Sequence, residues 1–139
     1  MIVNKIKKIV DALLSPSDQQ LQGMQNPTLN EANWEFAQGQ FFEQLAIEHH
    51  SMFKNHSTHS GSDEDPSIHD NRNAMWNFLS AALKGHRDSQ YRLGLCYLNG
   101  DLGLDKNYTH AQEWLEKAAK QGHPEALRTL MQSYSQIAL

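Results

Sequence analysis

Apolar residues recur at helical spacing through most of this chain, and no segment reads as a strand. Ile2, Val3, Ile6, Ile9, Val10, Leu13 and Leu14 form one stripe, with Asn4, Lys5, Lys7, Lys8 and Asp11 between them. That pattern predicts an amphipathic helix, ended by Ser15-Pro16. The Gln-rich stretch to Pro27 reads as a linker, which gives an N-terminal unit of residues 1–27. Thr28-Leu29-Asn30-Glu31 has the form of a capping box and opens a helix expected to run to about Glu48. Its apolar positions are Trp34, Phe36, Ala37, Phe41, Phe42, Leu45 and Ala46. His49–Asp70 then breaks the pattern with Ser, His, Asp, Asn and Gly, and is expected to be a polar insertion within a domain of residues 28–139. Helices follow over about Asn71–Lys84, Asp88–Leu98 and Tyr108–Gln121, and from His123-Pro124 to about Gln136. Gly85 and Gly122 stand where left-handed caps are expected, and Pro124 suits a first helical position.

The later helices repeat. Ala74–Tyr97 lies over Ala111–Tyr134 without a gap, at an offset of 37 residues. Ala81-Ala82 falls on Ala118-Ala119, Gly85-His86 on Gly122-His123, and Leu93 on Leu130. A fixed offset of this size means stacked units, each too small to bury its own apolar face. Phe36, Gly39 and Phe42 keep the spacing of Tyr91, Gly94 and Tyr97, so the helix from Thr28 reads as a degenerate first copy. On the helix of Tyr91, Gly94 admits a close neighbour. On the helix after it, Ala111, Trp114, Leu115, Ala118 and Ala119 supply the matching face.

The run Tyr91-Arg-Leu-Gly94-Leu-Cys-Tyr97-Leu-Asn-Gly100, then Gly103-Leu104, Ala111, Trp114, Lys117-Ala118-Ala119 and Gln121-Gly122, resembles a Sel1-like repeat. One full repeat is covered, about Ser89–Lys120, with halves on either side. The chain departs from the family at Asn107 (Asp in the pattern), at His110 (Lys) and at Asn77 (Trp, with Trp76 displaced by one). The resemblance implies an all-α fold, a short tetratricopeptide-like α-solenoid of stacked antiparallel helix pairs. It also implies adaptor work on a protein or peptide partner, often in bacteria, with no catalytic residues and no cofactor.

Charge and cysteine content narrow the function. A net charge of −4, with no basic stripe among 12 Lys and Arg, argues against nucleic acid as a partner. Cys96 is the single cysteine, and no apolar run approaches a membrane span; a cytoplasmic protein is expected. Lys5, Lys7 and Lys8 would give a membrane-surface helix weak lipid affinity, so the N-terminal helix is expected to cap the stack. So short a stack needs such a cap, a dimer or a partner to complete it.

Two groups of residues are candidates for binding. Arg92, Leu95, Cys96 and Asn99, with Thr129, Gln132, Ser133 and Gln136, should line a concave groove for a polypeptide. The polar insertion holds His49, His50, His56, His59 and His69 beside Asp63, Glu64, Asp65 and Asp70. His56 and His59 could share a metal ion, which gives the alternative of a metal-responsive regulatory subunit. A mobile loop lacks the supporting contacts such sites use.

Overall fold

The structure, a computed structural model, describes residues 27–56 and 64–137. The N-terminal helix expected from the sequence lies outside the described residues. Five helices make up the rest: α1 (Pro27–His56), α2 (Ser67–Leu83), α3 (Arg87–Asn99), α4 (Tyr108–Lys120) and α5 (Pro124–Ile137). Among the described residues there is no strand. Each helix packs chiefly on those next to it in sequence, as stacked helix pairs require.

The same turn is built twice. At the end of α2, the N–H of Gly85 donates to the Ala82 carbonyl (3.0 Å) and that of His86 to Ala81 (3.0 Å). At the end of α4, Gly122 donates to Ala119 (2.9 Å) and His123 to Ala118 (3.1 Å). This pair of crossed bonds closes a helix on a left-handed residue, and Gly85 and Gly122 have φ of 89° and 84°. The histidine that ends one helix then starts the next. His86 Nδ1 accepts from the Ser89 N–H (3.1 Å) and His123 Nδ1 from the Ala126 N–H (3.2 Å). Each ring also lies against an aromatic of an earlier helix, His86 on Phe36 at 4.7 Å and His123 on Tyr91 at 4.1 Å between centroids. The Gly-His dipeptide therefore fixes both the reversal and the angle at which the next helix leaves.

Burial holds the His86 imidazole below its ordinary value of 6.5. As pH falls through 6.5 the unfolded chain binds its proton first, so this stability is present at neutral pH and drains away on acidification below 6.5. Urea midpoints are expected to fall between pH 8 and pH 5. His86→Asn keeps a side-chain cap without the titration, and should flatten that part of the profile.

Helix pairing rests on two close approaches. A Cβ on Gly94 would lie 2.7 Å from Leu115 Cγ, and one on Gly39 would lie 2.6 Å from the Phe78 ring. Phe78 and Leu115 are 37 residues apart, so α1 and α2 meet as α3 and α4 do. The first helix pair is thus the degenerate copy its spacing suggests. Leu115, Ala118, Ala126 and Leu130 form a core joining α4 to α5, with Tyr91 packed against it. A polar thread ties successive turns: Gln90 Nε2 donates to Ala82 O (3.1 Å), and Gln121 Nε2 to Gln90 Oε1 (2.8 Å) and Gly85 O (2.9 Å).

Helix takes up both ends of the polar insertion expected at 49–70. Relative to the α3–α4 pair, 18 residues are added between Gly39 and Phe78; 12 lengthen α1 and four lengthen α2. Within that span, residues 49–56 and 67–70 continue the two helices. Their side chains meet across the extended pair: His49 Nδ1 donates to Asp70 Oδ2 and His50 Nδ1 to Asp65 Oδ2, both at 2.6 Å. Polar pairs join the two extensions, and such pairs leave no apolar period in the sequence.

Candidate functional site

The extension of α1 past its partner's usual length creates a wall. At 30 residues α1 is roughly 45 Å long, while the 13 residues of α3 span roughly 20 Å. An open cleft of about 690 Å³ lies between this overhang, the start of α2, Arg92 of α3 and the Asp101-Leu102 turn. Ile47, His50, Ser51 and Lys54 line it from α1, and Ser67 and Asn71 from α2. Ile47 is 60% exposed, a large apolar side chain open to the cleft.

Ion pairs brace the walls of the cleft. Arg92 is held by Glu43, with Nε 3.3 Å from Oε2 and a shorter contact from Nη2 to Oε1. Its Nη1 also approaches Asp101 Oδ2 at 3.5 Å. The guanidinium is thus a strut from α3 to α1 and to the turn after α3. In that turn Leu102 has a φ of 55°, left-handed backbone that is uncommon outside glycine. On the far rim Asp65 does two jobs. Its Oδ1 accepts the Ser67 N–H (2.9 Å) at the start of α2, while Oδ2 takes the His50 bond. The His50 hydrogen bond, set against some desolvation, holds the Asp65 carboxyl below its ordinary range.

The residues expected to line a groove separate. Arg92 lines the cleft. Leu95 is half-buried and Asn99, the last residue of α3, is exposed; neither lines it. On α5, Thr129 is half-buried with its hydroxyl donating to Glu125 O (2.8 Å), Gln132 is exposed, and the Gln136 side chain lies outside the described residues. Cys96 is corrected: it is fully buried, on the side of α3 that carries Ser89 and Leu93. Burial pushes its thiol up to about 11, so it is a packing residue and not a thiolate. Ile47, Lys54 and Leu102 carried no signal, because Ile47 and Lys54 lie at or beyond the expected end of the first helix and Leu102 is in a turn; His50 stood among the candidate histidines but not as a cleft residue.

Of the histidines considered for metal, His49 and His50 are engaged by carboxylates, His56 is exposed at the end of α1, and His59 lies outside the described residues. Among the described residues no three His, Cys, Asp or Glu side chains converge as a metal site. A narrow slot among Leu98, Tyr108, Leu130 and Tyr134 holds about 20 Å³, room for a single water. Among the described residues no helix is long and apolar enough to cross a membrane.

Comparison with known proteins agrees with the geometry. The Sel1 repeat model matches residues 61–86 and 87–123. The ERAD-associated E3 ubiquitin-protein ligase component HRD3A of Arabidopsis thaliana is 35% identical over 57 residues, which is 41% of this chain and 8% of that protein. No solved structure matches the chain. The family match begins at 61, after α1; the Gly39–Phe78 contact carries the repeat architecture back through α1.

Proposed function

We propose, from the premise that this chain carries two Sel1 repeats, that it is a binding protein which grips a segment of a partner polypeptide in the cleft beneath the α1 overhang. Sel1 repeats mediate protein–protein interaction, and the matched relative is itself named as a component of a larger assembly. The observation that carries this reading is the exposed Ile47 at the wall of an open cleft braced by Arg92. An apolar side chain of the partner would seat against Ile47 and Leu102. Ser51 and Asn71 offer hydrogen bonds to the flanking backbone, and Lys54 favours an acidic residue nearby. Arg92 supports the site by tying α3 to α1 and to the turn after α3. The adaptor role, the bacterial host and the cytoplasmic setting expected from the sequence belong to this proposal.

The test uses a partner recovered by affinity capture and then purified. Ile47→Asp is expected to weaken its binding by about 2 kcal/mol, roughly thirtyfold, with the unfolding temperature unchanged. Leu83→Asp, 70% exposed on α2 and outside the cleft, should bind normally. Equal loss from both substitutions, or none from Ile47→Asp, would remove the cleft from the binding surface.

A further inference from the structure

The second helices of the two repeats differ along one side. At the offset of 37, α2 carries Met75, Trp76, Leu79 and Leu83 where α4 carries Gln112, Glu113, Glu116 and Lys120. The fold therefore accepts polar residues at all four places, and the apolar ones on α2 need another reason. Gln112 and Glu116 meet the Tyr134 hydroxyl of α5 (2.6 and 3.1 Å), and their counterparts Met75 and Leu79 are half-buried at the edge of the stripe. Trp76 and Leu83 are open to water, 57% and 70% exposed. Ile68, 43% exposed, extends the stripe toward the start of α2, and the exposed Arg72 lies within it. None of these residues lines the cleft.

We infer that this face joins two copies of the chain, with α2 packed antiparallel on α2 of the second copy. The spacing of the stripe favours a second copy over an unrelated partner. Ile68, Arg72, Met75, Trp76, Leu79 and Leu83 follow at intervals of four, three, one, three and four, the same read from either end. A two-fold axis between Met75 and Trp76 therefore sets Trp76 against Met75 of the second copy and Leu83 against its Ile68. Leu79 then covers the aliphatic stem of Arg72, whose head stays in water. Charge favours the same sense. Glu64 is exposed before the first turn of α2, and Arg87 is exposed just past its end. Antiparallel packing brings each beside its opposite at both ends of the contact, and it also opposes the two helix dipoles. Arg87 otherwise meets only its neighbour Asp88, at 3.4 Å on the surface, a pair weak enough to rearrange. One helix of roughly 25 Å from each copy makes a contact at the small end of specific interfaces. The dimer thus forms and dissociates with concentration, and it uses none of the cleft's residues.

Sedimentation of the full chain should show a mass that rises with concentration toward twice that of the monomer. Trp76→Glu with Leu83→Lys gives α2 the residues that α4 carries at those positions. This variant should stay monomeric at every concentration, with its circular dichroism and its urea midpoint in dilute solution unchanged. Ile47→Asp should dimerise as the parent does, which separates this contact from the cleft. The sense of packing is read by a second measurement. Ile68→Cys protein mixed with Leu83→Cys protein should join to it by a disulfide under mild oxidation. Each alone should crosslink far less, because positions 68 and 83 stand roughly 22 Å apart along the helix. The native Cys96 is buried and does not compete. A parent chain that is monomeric throughout would overturn the inference and leave the face to a different protein. So would a dimer that survives the double substitution, association seen only with lipid vesicles, or crosslinks as strong in the single samples as in the mixture.

Discussion

Phe78→Ala is expected to lower the unfolding free energy by about 3–5 kcal/mol, the largest effect of any single truncation among the described residues. Phe78 is fully buried and its ring lies where a Cβ on Gly39 would stand, so it fills the crossing of α1 and α2. It also meets Phe36 at 5.8 Å between centroids, and Phe36 in turn stacks on His86. Truncation leaves a cavity that the close helix backbones cannot collapse into, and it loosens the histidine that opens α3. Urea or thermal unfolding reads the loss. A midpoint within experimental error of the parent would mean that α1 does not pack on α2 as described.

Gly94→Leu should cost about 1–3 kcal/mol despite the roughly 1 kcal/mol that helix propensity alone would return. A Cβ there meets Leu115 Cγ at 2.7 Å and the Ala111 backbone carbonyl at 3.3 Å. The side chain could shift, but the carbonyl belongs to the first turn of α4 and moves only with that helix. Combining Gly94→Leu with Leu115→Ala should therefore be less harmful than the two single effects added together. Strict additivity would show that the clash is not the cause.

Much of this was legible in the sequence, for reasons visible at particular residues. Gly85 and Gly122 announced their turns because left-handed backbone strongly favours glycine, and they recur beside Ala-Ala and His at a constant offset. Gly39 could be matched to Gly94 by spacing alone. The histidines were less legible: Gly-His marked a repeat, but nothing in a string of letters shows a ring capping one helix while stacking on another. Arg92 was picked out as a contact residue, yet Glu43 lies 49 residues before it and had no signal.

The repeat, the boundaries of α3, α4 and α5 and the close crossings follow from local rules. Glycine conformations, capping side chains and helical periodicity act over a few positions, so the amino-acid order was enough to set them. The fate of residues 49–56 and 67–70 was decided by the fold. His49 and His50 find Asp70 and Asp65 only once α1 and α2 lie side by side, and those polar pairs turn an apparent loop into the overhang that makes the cleft. Cys96 was likewise placed by the tertiary structure, because which side of α3 is buried depends on where the preceding pair stacks.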